Sequence, residues 1–301
     1  MRRTSSHLPA AAAPAPMRTR NDPAWLEAQY NNRARVPAYA SHFARWQQAS
    51  KLVREKTAAQ LDLPYGSGAG ETLDIFPATR PGAPVLVFIH GGYWRSLDKS
   101  DFSFIAPAFN AAGAAVVVPN YALCPAVGIE HIALQMTQAV AWAWRHAAEF
   151  GADATRIGLV GHSAGGHLAA MLTCCRWKDV APDLPALPVQ AALSVSGLYD
   201  LEPLRQVASV QADLQLTPAA VRRLSPAFFP RPKGSKLYAA VGLDESEEFL
   251  RQNALIRDVW GPTAVPVCET LPGRNHFSVV EDLADAKSRL HALALRTVGL
   301  R

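Results

Sequence analysis

An α/β fold, a mostly parallel central sheet with helices on both faces, is predicted by three features of the sequence. Short apolar, β-rich runs alternate with longer helical stretches along the chain. Several of the runs are apolar almost throughout, as strands covered on both faces must be. One run, Arg156–Val160, leads into a serine flanked by glycines and then into a helical stretch.

The elements follow in order. Residues 1–21 read as a disordered tail rich in Ala and Pro, with Met17 available as an alternative start. Its basic opening lacks the apolar core of roughly 7–15 residues that a signal peptide needs, because Pro9, Pro14 and Pro16 interrupt a run of alanine alone. Asp22–Arg54 is helical in pattern, and its aromatics Trp25, Tyr30, Tyr39, Phe43 and Trp46 suggest that it lies over the body. Thr57–Leu63 and Thr72–Phe76 flank the glycine-rich 66–70 turn and read as an antiparallel hairpin at one sheet edge. The clearest strands are Val85–Ile89, Ala115–Val118, Ile157–Val160, Ala191–Ser194, Leu237–Val241 and Val265–Glu269.

Helices are predicted between them. Ile129–Phe150 carries Ile132, Met136, Val140 and Trp144 at intervals of four and stops at Gly151, a natural C-cap. Ala164–Cys175, Glu248–Trp260 (ended by Gly261-Pro262) and Val279–Leu295 complete the set. Gly197–Lys233 departs from the alternation, with five prolines, and is where a lid over the site would sit. The expected organisation is a single domain over 22–301, with that lid at 197–233.

Composition excludes several classes. The net charge is +5, but Arg2, Arg3, Arg18 and Arg20 supply four of those charges within an acid-free tail. The nearly neutral body argues against nucleic acid as a partner. No apolar stretch reaches the roughly 20 residues that span a bilayer, so no membrane partner is expected. Four cysteines without metal-ligand spacing (Cys124, Cys174, Cys175, Cys268) read as reduced thiols of a cytoplasmic protein.

The chemistry is carried by Gly161-His162-Ser163-Ala164-Gly165. This is a nucleophile elbow in its required strand–turn–helix context, the mark of the α/β-hydrolase fold. A serine hydroxyl needs a base, and His276, on a loop after the last strand, stands where that fold's Ser…acid…His order puts one. His162 and His167 flank the serine and point away from its hydroxyl, while His42, His131, His146 and His291 fall on helices. The acid is expected after Leu237–Val241, where Asp244 and Glu245 are adjacent and one of them faces the histidine; Asp200, one strand early, is a third candidate. An oxyanion hole is expected from the N–H groups of Ala164 and of Gly91 and Gly92 in His90-Gly91-Gly92.

These residues resemble the kynurenine formamidase (arylformamidase) group of α/β hydrolases, neighbours of the hormone-sensitive-lipase-like esterases. The markers are His90-Gly91-Gly92-Tyr93-Trp94, Gly161-His162-Ser163-Ala164-Gly165-Gly166-His167 and Glu245-Ser246-Glu247-Glu248-Phe249. Tyr30-Asn31-Asn32-Arg33 and Ser196-Gly197-Leu198-Tyr199-Asp200 resemble further segments of that group. The resemblance runs from about residue 25 to the C-terminus. It implies that the acid is Glu245 rather than Asp244, with glutamate where aspartate is common. It also implies hydrolysis of N-formyl-kynurenine to kynurenine and formate, with Tyr93 and Trp94 as aromatic surface for the substrate.

Two enzyme readings share this machinery: an arylformamidase and a carboxylesterase acting on short-chain esters. A binding protein without catalysis is the alternative from another class; such proteins usually lack a triad member or the oxyanion glycines, and all are present here. No metal or organic cofactor is implied, since protein groups supply both activation and charge stabilisation. The expected partner is a small-molecule ester or formamide.

Overall fold

The computed structural model describes residues 22–68 and 70–300. The expected tail over 1–21 therefore lies outside the described residues. Eight strands form one sheet: β1 (Gln60–Pro64), β2 (Thr72–Phe76), β3 (Ala83–Ile89), β4 (Ala115–Pro119), β5 (Ala152–His162), β6 (Val189–Val195), β7 (Lys236–Gly242) and β8 (Val267–Leu271). Their order across the sheet is β1-β2-β4-β3-β5-β6-β7-β8. The β1–β2 hairpin sits at one edge, both its pairing and that of β2 with β4 are antiparallel, and every later pair is parallel.

The central strands are apolar because both faces are covered. Val85, Val87 and Ile89 of β3 face one layer, packed with Ile132, Met136 and Val140 of the Ile129–His146 helix and Leu168 of the Ala164–Thr173 helix. Leu86 and Phe88 face the other layer, packed with Trp46, Phe102, Leu290 and Leu293. A period of two along a strand thus feeds two cores at once.

Several boundaries differ from the sequence expectation: β5 runs from Ala152 to His162, and the expected Glu248–Trp260 helix runs from Glu247 to Ala264. Three others have a clear local reason. β1 begins at Gln60, because Thr57 ends the Tyr39–Lys56 helix, giving both its N–H and its hydroxyl to the Val53 carbonyl. β8 begins at Val267, because Val265 N–H still caps the preceding helix on Gly261. The expected Val279–Leu295 helix is broken into Ser278–Glu281, a 3-10 turn at Asp282–Ala284, and Arg289–Thr297. Ser288 is responsible, since its hydroxyl caps the new helix at His291 N–H and bonds back to the Asp282 carbonyl.

The segment 22–54 folds as three helices, Pro23–Tyr30, Asn32–Arg35 and Tyr39–Lys56. Asn31 separates the first two, its side chain accepting from Ala34 N–H at 3.1 Å. Segment 197–233 forms short helical pieces, among them Ala208–Leu214 and Pro218–Leu224.

Candidate active site

Four strands end at the same edge of the sheet and deliver the site. β5 ends on His162, and the chain reverses at Ser163, whose backbone lies at φ 56°, ψ −116°. Such a conformation costs a non-glycine residue about 1–3 kcal/mol and persists only where the surroundings dictate it. Here Ser163 N–H donates to the Val195 carbonyl at 2.8 Å, and the Ser163 carbonyl accepts from His167 N–H at 3.1 Å. A side chain on Gly165 would strike the Ile89 carbonyl, so the helix after the serine lies against β3 only with glycine there.

The loop after β8 carries His276 and the turn after β7 carries Glu245. His276 Nε2 stands 3.1 Å from Ser163 Oγ, and His276 Nδ1 stands 2.6 Å from Glu245 Oε2. A carboxylate only accepts, so the proton sits on Nδ1 and the Nε2 lone pair faces the serine. The second oxygen of Glu245 accepts from Ser196 Oγ at 2.5 Å and from Gly242 N–H at 2.8 Å. All three residues are buried: Ser163 is 2% exposed, Glu245 7% and His276 5%. Of the other two carboxylates, Asp244 is exposed and Asp200 faces Arg251 at 3.8 Å. Only Glu245 of the three bonds to His276.

The two histidines beside the serine point elsewhere. His162 Nε2 donates to the His276 carbonyl at 2.9 Å, and His167 Nε2 donates to the Leu224 carbonyl at 2.6 Å. Burial drives both imidazoles down, His162 well below its ordinary value and His167 to about 4. Both are therefore neutral at physiological pH.

After β3 the chain makes an unusual turn. Gly92 has φ 113°, and Tyr93, Trp94 and Leu97 also have positive φ. A side chain on Gly92 would collide with the Ser96 carbonyl. His90 anchors the turn, its ring stacked on Tyr121 at 4.2 Å and its carbonyl accepting from the Tyr121 hydroxyl at 2.9 Å. Gly91 packs against the His162 carbonyl and Ser163 Cβ, which brings this turn beside the serine. The N–H groups of Gly91, Gly92 and Ala164 find no acceptor among the described residues. They are available to an incoming oxygen.

A cavity of about 240 Å³ opens over Ser163 and His276. Tyr93 lines it, with its hydroxyl on the Tyr30 carbonyl at 2.7 Å. Trp94 corrects the sequence expectation: it is fully buried in the core, edge-on to His167 at 4.9 Å, and does not line the cavity. The turn that exposes Tyr93 sends the next side chain inward. Sequence reasoning missed the N-terminal helices as part of the wall, where Tyr30, Asn32, Arg33, Phe43 and Trp46 stand. The aromatic spacing of 22–54 was the available signal. Ser209 and Val210 reach the cavity from segment 197–233.

Several known proteins resemble this chain along most of its length. A family model described as BD-FAE matches residues 73–220. Kynurenine formamidase of Danio rerio is 29% identical over 290 residues, covering 91% of this chain and 96% of that protein. A solved candidate thioesterase from Silicibacter sp. tm1040 is 31% identical, covers 89% of this chain and 98% of its own, and superposes with a TM-score of 0.79. The chain is an α/β hydrolase, similar to kynurenine formamidases along most of its length. Esterases lie nearby, such as esterase LipQ of Mycobacterium tuberculosis (strain ATCC 25618 / H37Rv), 32% identical over 163 residues that make up 49% of this chain and 37% of that one. An esterase of Pyrobaculum calidifontis shares the fold at a TM-score of 0.66 and 16% identity, covering 86% of this chain and 90% of its own. This α/β hydrolase is an enzyme of the hydrolase class.

Proposed function

We propose that this α/β hydrolase cleaves N-formyl-kynurenine, or a closely related aryl formamide, to the aryl amine and formate. The observation that carries the reading is the unbroken chain from Ser163 Oγ to His276 and on to Glu245. The formamidase relatives, which match nearly the whole chain, supply the acyl group.

The steps follow from the geometry. Ser163 Oγ attacks the formyl carbon while His276 Nε2 takes its proton, and Glu245 stabilises the imidazolium that results. The carbonyl oxygen becomes an oxyanion held by N–H groups of Gly91, Gly92 and Ala164. The C–N bond breaks as His276 returns the proton to the departing aryl amine. Water, deprotonated by His276, then attacks the formyl-serine ester and releases formate. Tyr93 offers aromatic surface to the aryl group. No metal or organic cofactor is called for, since activation and charge stabilisation come from protein groups.

The proposed setting is tryptophan catabolism in the cytoplasm, consistent with four unpaired cysteines. No helix among the described residues is long and apolar enough to cross a membrane. Residues 22–301 serve as one catalytic domain, with segment 197–233 and the N-terminal helices covering the cavity. A carboxylesterase acting on short esters is the second reading, favoured by the esterase relatives. Turnover of N-formyl-kynurenine compared with short p-nitrophenyl esters separates the two: cleavage of the esters alone would overturn the formamidase reading.

A further inference from the structure

We propose that Arg33 binds an anionic group carried by the substrate, so that the enzyme prefers aryl substrates bearing a carboxylate over neutral ones of the same shape. This rests on acyl transfer at Ser163 and adds a determinant of specificity to it.

The charge balance of the cavity points to this role. Among the described residues its lining contains two arginines, Arg33 and Arg95, and no Asp or Glu. Arg95 is neutralised from behind, with Nη1 2.5 Å from Asp213 Oδ2. Arg33 has no ion pair among the described residues. It lines the cavity while remaining exposed, which places it at the mouth.

Arg33 is held in place without being neutralised. Its guanidinium carbon lies 5.6 Å from the ring centroids of both Tyr39 and Phe43. Such contacts orient the cation and leave its in-plane N–H donors free. Phe43 itself lines the cavity, so the aromatic wall and the charge form one surface. A guanidinium presents paired donors that match the two oxygens of a carboxylate. Of the charges that the described residues place on this wall, Arg33 is the one without a counter-ion among them, and an anionic substrate would supply it.

The test compares 4-(2-formamidophenyl)-4-oxobutanoate with its neutral carboxamide, both aryl formamides of nearly equal size. The wild type is expected to favour the carboxylate by roughly 10- to 100-fold in kcat/KM, mostly through KM, as expected for a charge-assisted pair at a partly exposed site. The KM for the anion should rise with salt as the charge is screened. Arg33→Met should bring the ratio between the two substrates toward one, and Arg33→Lys should retain part of it. A merely structural role for Arg33 would lower both substrates together and leave the ratio in place.

A wild-type ratio near one, or a ratio unmoved by Arg33→Met, would overturn the proposal. If Arg33→Met does not fold, the wild-type ratio and its salt dependence decide the matter. If neither formamide is cleaved, the formamidase reading fails, and the same ratio is read on 3-acetoxybenzoate against phenyl acetate. If neither ester is cleaved, both readings fall together.

Discussion

Glu245 Oε2 lies 2.6 Å from His276 Nδ1, and the remaining oxygen of that carboxylate is held by Ser196 Oγ and Gly242 N–H. The carboxylate is thus fastened on one side and presented to the imidazole on the other. Glu245→Gln places an amide there that can also donate, which allows the wrong tautomer of His276. The expected loss in kcat is about 10³- to 10⁴-fold. Glu245→Asp keeps the charge but withdraws it by one methylene, and a displacement of that size costs roughly 100-fold. A kcat for Glu245→Asp equal to that of Glu245→Gln would show that the charge alone, at the shorter reach, does nothing.

Ser163 Oγ faces the lone pair of His276 Nε2 at 3.1 Å, so the hydroxyl should be a reactive nucleophile. A fluorophosphonate probe is expected to label the wild type stoichiometrically and to leave Ser163→Ala unlabelled. His276→Ala should suppress labelling while the fold persists. Equal labelling of wild type and Ser163→Ala would move the nucleophile elsewhere.

The turn at Gly92 predicts a loss of both stability and activity, the second readable in the folded fraction. Its φ of 113° and the nearby Ser96 carbonyl leave no room for a side chain. Gly92→Ala must push the Ser96 backbone aside, which costs stability, and it displaces the N–H groups of the turn. Losing one oxyanion donor costs roughly 10²- to 10³-fold in kcat. That loss, measured in the folded fraction and with a Tm below wild type, is the expected result. A collapse of Tm with normal specific activity in the folded fraction would argue for a structural role only.

The sheet, the elbow and the order of serine, acid and histidine were legible because they rest on local signals. Short apolar runs rich in β-branched residues favour strands by local propensity, and Gly161 and Gly165 mark a turn that sterics demand. The choice between Asp244 and Glu245 was not local. Neighbours on a turn diverge, and which one meets His276 depends on where β6 places Ser196 to anchor a carboxylate. The wall of the cavity was illegible for the same reason. Arg33 and Phe43 reach the site from an N-terminal segment divided into three helices at Asn31 and at the turn between Val36 and Ala38.

Trp94 was misplaced by the same logic, since its neighbour Tyr93 does line the cavity. Its full burial beside His167 predicts a stability effect in place of a binding effect. Trp94→Ala should cost about 3–5 kcal/mol, the range for deleting a large buried aromatic. Urea unfolding checks this, and Trp94→Phe should recover much of the loss. KM unchanged in Trp94→Phe supports the core role, whereas a large KM change with normal stability would return this residue to the substrate.

His167 carries the clearest dependence on pH. Its ring is sealed between the Leu224 carbonyl and Trp94, and burial lowers its pKa from the ordinary 6.5 to about 4. Above pH 6.5 both the folded and the unfolded chain hold it neutral, and it contributes nothing to the pH dependence. Between pH 6.5 and 4 the unfolded chain binds the proton and the folded chain does not, so stability falls as pH falls. The full effect of this one residue, reached near pH 4, is on the order of 3 kcal/mol. His162 is shifted in the same direction by burial and by the neighbouring His276, and adds to the slope. His167→Gln removes the titration while keeping a donor for the Leu224 carbonyl. Urea midpoints measured from pH 8 to pH 4 should therefore decline less steeply in His167→Gln than in the wild type; parallel curves would mean that His167 takes up its proton without disturbing the fold.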